Sequence, residues 1–205
     1  MVKSHIFKKS FSIIAGCGIA ILFAAPYIVF RDEIQNLSVL GYLGLFASCL
    51  ISNLSILLPT SSTIIIVAAA STLNPWLCIL IGGVGTALGE QASYLCGLVS
   101  ASGFKTKGNA NERHVLKWYE KRPFLTVFLF ALVPLPVFDI VGIIAGTKKM
   151  EWWKYTLAAA LGKILKFFIV VLAIYYLFPV LIDKLPGETG EVINEYFDQY
   201  FYKNF

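Results

Sequence analysis

FLTVFLFALVPLPVFDIVGIIAGTKKMEWWKYTLAAALGKILKFFIVVLAIYY, residues 124–176, decides the fold of this chain. An apolar run is broken at Pro134 and Pro136 and carries an acid, Asp139. A basic return at Lys148 and Lys149 then leads into a second apolar run that holds Lys163 and Lys166. A stretch this hydrophobic belongs in lipid, where a lysine near the bilayer centre costs about 2.5–3.5 kcal/mol on insertion scales. Charges at that depth require partners, water or a function.

The rest of the chain agrees with this stretch. Of 205 residues, 58% are hydrophobic and only 14% charged, and the mean hydropathy is +0.74, which places the chain among integral membrane proteins. Short polar joints separate the apolar runs and no Pro/Ser/Gly-rich linker intervenes, so residues 1–205 read as a single membrane domain. The net charge of +5 comes from bases clustered in joints that flank apolar runs. Topology signals are built this way, and the pattern argues against a nucleic-acid partner. Cys17, Cys49, Cys78 and Cys96 lie within apolar runs at no ligand spacing, and are expected to be small buried hydrophobes. His5 and His114 sit in separate basic joints, so no metal site and no cofactor are expected.

Working outward, Lys3, Lys8 and Lys9 precede an apolar run over 11–30, long enough to cross about 30 Å of hydrocarbon. The run continues past the small pair Ala24 and Ala25, so it reads as an uncleaved span with a cytoplasmic N-terminus. Residues 1–37 are thus an N-terminal span and its outer joint. The run over 38–58 meets Pro59, Thr60, Ser61 and Ser62, and the apolar piece after them, 63–72, is too short to span. A third run, 76–99, carries Gly85, Gly89, Ser93 and Gly97 every fourth residue. Such a stripe permits close helix packing, and it places Glu90 inside the membrane. Residues 101–122 form the most basic joint, with Lys105, Lys107, Arg113, Lys117, Lys121 and Arg122, and are expected in the cytoplasm. Residues 183–205 are acidic and aromatic, and read as an outer tail.

Parity then sets the layout. Three apolar blocks separate two cytoplasmic regions, so one block must enter and return on its own side. The block over 38–72 is the candidate, because Pro59 removes a backbone donor among hydroxyls that can satisfy the freed groups. The same reasoning makes 124–146 a second hairpin, broken at Pro134 and Pro136. The expected fold is all-α: three transmembrane helices plus two opposed re-entrant hairpins, with 38–100 and 123–182 each a hairpin followed by a span. Ala87-Leu88-Gly89-Glu90 and Ala160-Leu161-Gly162-Lys163 fall at comparable places after Pro59 and Pro134. With the opposite orientations, this reads as an inverted repeat, an arrangement that builds sites near the midplane.

Four ionisable residues lie within apolar runs: Glu90, Asp139, Lys163 and Lys166. Two acids and two bases sum to zero, as expected if they converge on one interior. Two readings stand side by side: salt bridges that fix hairpins to helices, and a polar path for an anionic headgroup, a proton or both. Asn53, Ser55, Thr60, Ser61 and Ser62 are expected chiefly to satisfy the first helix break. Gly142 and Gly146 could pack helices between subunits of a homo-oligomer or within one chain.

The order Gly89-Glu90, Tyr94, Gly97, Pro134, Pro136, Asp139, Gly142, Gly146, Met150 and Gly162 resembles the DedA family, also called the SNARE-associated Golgi or VTT-domain family, over residues 38–180. The resemblance implies lipid movement across a membrane, by scrambling of phospholipids or return of a polyprenyl phosphate. It also implies a multi-pass protein of the cell membrane, with membrane lipids as its partners. No histidine, reactive cysteine or metal cluster is expected in the membrane interior, so an enzyme is not expected. The rival readings are an ion-coupled small-solute transporter and a non-transporting assembly scaffold. The chain departs from the family pattern in having no acid beside Pro59 and no arginine near Pro134 and Pro136. Lys163 and Lys166 are therefore expected to supply the anion-binding charge.

Overall fold

A computed structural model describes residues 18, 21–29, 34, 38–54, 62–100, 110–133 and 138–182. The expectations placed on Pro59, Thr60, Ser61, Pro134, Pro136, Cys17 and the tail over 183–205 lie outside the described residues.

No strand occurs among the described residues. Among the described residues, 21–29 are helical, and eight further helices follow: α1 Ser38–Leu54, α2 Ser62–Ala70, α3 Pro75–Gly89, α4 Gln91–Ser100, α5 Ala110–Lys121, α6 Pro123–Leu132, α7 Phe138–Thr147 and α8 Trp152–Ile182. Within α8, Trp152–Leu177 is long and apolar enough to cross a membrane. The ten residues of α6 and of α7 reach only about 15 Å each at 1.5 Å per residue.

Local sequence sets several of the helix ends. Asn74 caps α3 by accepting from the backbone N–H groups of Trp76 and Leu77 at 3.1 and 3.3 Å, and Pro75 follows where its missing N–H costs nothing. The C-terminus of α7 closes with Met150 N–H donating to the Ala145 carbonyl and Lys149 N–H to that of Gly146. This pattern requires a left-handed residue, here Lys149 at φ 54°. A side chain in that conformation costs roughly 1–2 kcal/mol. Lys149→Gly is therefore expected to raise stability by about 1 kcal/mol, read as a higher melting temperature in detergent; an unchanged or lower one would refute the strain.

The outside of the molecule is apolar and the inside holds charge. Leu43 and Ile51 on α1, Leu80 and Val84 on α3, Leu95 and Val99 on α4, and Leu161 and Phe168 on α8 are exposed, whereas Glu90, Lys163 and Lys166 are buried. A soluble surface rarely carries apolar cover of this extent, while lipid demands it. Cys49 and Cys78 are buried as expected, but Cys96 is exposed. It lies beside the exposed Leu95 on the outer side of α4, a position where a small hydrophobe can face lipid as readily as core.

Two helix pairs pack on two longer elements. A Cβ on Gly85 would meet the Phe46 carbonyl oxygen at 2.9 Å, and one on Gly89 would meet the Leu50 carbonyl and Asn53, so α1 runs parallel to α3 at backbone contact. Likewise Gly97 lies on Ile143, and Gly146 on Tyr94 and Leu98, which sets α7 parallel to α4. The glycine stripe thus serves two partners: Gly85 and Gly89 receive α1, while Ser93 and Gly97 receive α7. Gly142 and Gly146 pack within this one chain.

Against α8 the same path runs in the opposite direction. Trp76 lies against Phe168 at 5.6 Å between ring centroids, Gly83 against Ile164, Gln91 against Thr156, and Tyr94 against Tyr155 at 4.9 Å. As one residue number rises the other falls, so α3 and α4 are antiparallel to α8. A Cβ on Gly162 of α8 would meet the Phe128 carbonyl oxygen at 2.5 Å and the Ala131 Cβ at 2.6 Å. Gly89 meets the same two kinds of atom, at the same spacing of three residues, on α1.

Candidate functional site

The residues that follow these two matched glycines, Glu90 and Lys163, meet. The run over 76–99, expected as one unbroken span, is interrupted at Glu90, which forms a turn between α3 and α4. Glu90 closes α3 with its N–H donating to the Thr86 carbonyl at 3.1 Å. Its own carbonyl accepts from the Ser93 hydroxyl at 2.8 Å and the Tyr155 hydroxyl at 3.3 Å. Two hydroxyls, one from α8, thereby satisfy the backbone oxygen that the break turns out of the helix. Gln91 reinforces the junction by donating to the Thr156 hydroxyl at 2.8 Å.

The Glu90 side chain is buried in the interior. Its Oε1 forms an ion pair with Lys163 Nζ, and Oε2 is buried with no hydrogen-bond partner. Glu90, Lys163 and Lys166 are 6%, 7% and 8% exposed, so water does little of the solvation. Lys163 Nζ also lies 4.8 Å from the centroid of the Phe138 ring, at the start of α7. Lys166 follows one turn on along α8, with Nζ 4.5 Å from the Phe167 ring centroid.

Salt bridges were one of the two readings of the four intramembrane charges, beside a polar path, and one such pair forms. Lys163 binds Glu90. Among the described residues, Lys166 and Asp139 have no ion-pair partner within 4.0 Å. Asp139, in the first turn of α7, is half-buried. Among the described residues, the centre therefore holds one ion pair, one buried lysine with no carboxylate at ion-pair distance, and one acid at its edge.

One contributor, Tyr155, carries no charge and went unrecognised in the sequence. Tyr155 is fully buried and stacks on Tyr94, whose hydroxyl donates to the Met150 carbonyl at 2.5 Å. These tyrosines tie the Glu90 turn to both ends of the α7–α8 connection. The Asn53 amide donates to the Cys49 carbonyl one turn back in α1 at 2.7 Å, while the first break itself lies outside the described residues.

A buried ion pair between matched positions of two helical units, within an apolar exterior, is the setting for the comparison with known proteins. The VTT domain matches residues 58–176, which contain the whole charged centre. The chain belongs to the VTT-domain family. Vacuole membrane protein KMS1 of Arabidopsis thaliana is 31% identical over 104 residues, covering 41% of this chain and 25% of that protein. Vacuole membrane protein KMS2 of the same plant is 32% identical over 101 residues, covering 41% and 24%. The match thus spans about a quarter of these relatives' length. No solved structure matches. This VTT-domain protein is accordingly a membrane protein of the DedA type.

Proposed function

We propose that this VTT-domain protein moves an anionic lipid, a phospholipid or a polyprenyl phosphate, across the bilayer, acting as a transporter and not as an enzyme. The observation that carries this reading is Lys166: a buried lysine that, among the described residues, has no carboxylate at ion-pair distance, one turn from the Glu90–Lys163 pair. A phosphate headgroup is the chemistry that completes it, because charge-assisted hydrogen bonds to phosphate are strong where water is scarce. In the resting state Glu90 holds Lys163. When a headgroup arrives, Lys166 binds it first and Lys163 can exchange its carboxylate for a phosphate oxygen, while the acyl chains stay in lipid along the apolar exterior.

The layout that supports this places three spans, the N-terminal run, α3–α4 and α8, around re-entrant pairs α1–α2 and α6–α7 in a cell membrane. In this reading the N-terminus is cytoplasmic and the C-terminus outside. Helices of about 15 Å cannot cross about 30 Å of hydrocarbon. The opposed courses of α3–α4 and α8 and the matched contacts of Gly89 and Gly162 support an inverted repeat, with Glu90 and Lys163 beside its axis. Single cysteines at positions 107, 150 and 190 check the topology: 107 and 150 should be labelled from one side and 190 from the other. Labelling of 107 and 150 from opposite sides contradicts the second hairpin.

The activity is tested by reconstitution. Liposomes holding the protein should show a fluorescent anionic lipid becoming accessible in both leaflets. Charge movement without lipid would instead indicate an ion-coupled solute transporter, and no movement of either would indicate an assembly scaffold.

A further inference from the structure

A second cationic site lies away from the charged centre, at the corner where α5 turns into α6. Val115 and Tyr119, four residues apart, face inward and are buried, and burial pushes the Tyr119 phenol up to about 12, so it contributes no charge. The opposite side of α5 carries Lys117, Trp118 and Lys121, and Arg122 follows at the corner. Arg122 N–H donates to the Trp118 carbonyl at 3.1 Å, and the Thr126 hydroxyl to the Arg122 carbonyl at 2.9 Å, which fixes the bend. A cavity of about 460 Å³ opens here, walled by the three cations, by Trp118 and by Leu125 and Leu129 of α6. That is within the range of about 300–1,000 Å³ usual for small-molecule sites.

Among the described residues no carboxylate lines this cavity, and the neighbouring Glu120 is engaged elsewhere, with Lys148 at 3.0 Å. Among the described residues, Lys117, Lys121 and Arg122 take part in no ion pair. Trp118 is 62% exposed, and Phe124 and Leu125 beside it are exposed as well. An indole next to three cations and above an apolar helix is the arrangement expected at the headgroup level of a bilayer.

We infer that the α5–α6 corner binds one anionic phospholipid of the leaflet it faces, the headgroup among Lys117, Lys121 and Arg122 and an acyl chain along Leu125 and Leu129. This goes beyond the translocation reading and does not rest on it, since the corner shares no residue with the Glu90, Lys163 and Lys166 centre. Each cation near an anionic surface contributes roughly 1 kcal/mol, about a fivefold change in binding.

Trp118 makes the site its own reporter. The full chain is placed in phosphatidylcholine nanodiscs containing increasing fractions of phosphatidylglycerol brominated on its acyl chains, with brominated phosphatidylcholine as the control. The Trp118 signal is the difference between the parent and Trp118→Phe. Quenching by the anionic lipid should reach half its maximum at a mole fraction at least tenfold below that needed for the zwitterionic lipid. Lys117→Gln, Lys121→Gln and Arg122→Gln combined should remove the preference, whereas Lys154→Gln, at another exposed cation, should leave it. Equal quenching by the two lipids in the parent chain overturns the inference and needs no variant to fold. Retained preference in the triple variant also overturns it, as does release of the lipid by millimolar inorganic phosphate, which would make this a site for the free anion.

Discussion

Lys163→Met is expected to destabilise the protein by about 3–5 kcal/mol, the usual consequence of removing one partner from a buried ion pair. Glu90 Oε1 would lose its partner, and Oε2 already has none, so a carboxylate would remain in an apolar interior with neither oxygen satisfied. The double variant Glu90→Gln, Lys163→Met should recover most of that loss, because neither of the two positions then leaves an unpaired charge. Denaturation in detergent measures both, and the coupling between the two sites should exceed 2 kcal/mol. The exposed Glu120–Lys148 bridge at 3.0 Å, treated in the same way, should give only about 0.2–1 kcal/mol. Equal coupling in the two cycles would mean that the Glu90–Lys163 pair is solvated. The recovered double variant should still fail to move lipid, which separates holding the fold from carrying a headgroup.

Gly146→Ala should have the next largest effect, about 3 kcal/mol of destabilisation, at the upper end for overpacked positions. Its new methyl would run into the Tyr94 carbonyl and would approach the Leu98 nitrogen at 2.7 Å and the Gly97 carbonyl carbon at 3.0 Å. All three are backbone atoms, so no rotamer change can relieve the overlap, and α4 and α7 must separate. Gly44→Ala in α1 is the counterpart of opposite sign. Its methyl would meet only the Tyr27 hydroxyl, at an ordinary 3.4 Å, and the helix gains up to about 1 kcal/mol in intrinsic propensity. If both substitutions shift the melting temperature in the same direction, close α4–α7 packing is not what requires glycine at 146.

These contrasts show how far the sequence could be read. The four-residue spacing of Gly85, Gly89, Ser93 and Gly97 marks close packing, since small residues in apolar helices have few other uses. That it serves α1 before Glu90 and α7 after it was not legible. The helix break at Glu90 has no proline to announce it and depends on the Tyr155 hydroxyl, 65 residues away. The ionisable residues 90, 139, 163 and 166 stand out because charge in an apolar run is costly. Their pairing does not, because helical spacing places Lys163 and Lys166 on one side of α8 without saying which of them meets an acid. The basic joint over 101–122 conceals α5, whose local signal is the i, i+4 pair Val115 and Tyr119 against Lys117 and Lys121. Read only as a topology signal, that joint gives no hint of a cavity.

The central claim is that a buried, unpaired Lys166 receives an anionic headgroup. Its most direct test is the rate at which dithionite bleaches fluorescent phosphatidylglycerol in liposomes containing the parent or Lys166→Gln, with melting temperatures measured alongside. Among the described residues Lys166 forms no ion pair, so Lys166→Gln should fold with a melting temperature no lower than the parent's. Loss of one charge-assisted contact, worth about 1.5–3 kcal/mol, should slow lipid movement by roughly 10–100-fold. A folded Lys166→Gln protein that moves lipid at the parent rate would contradict the account.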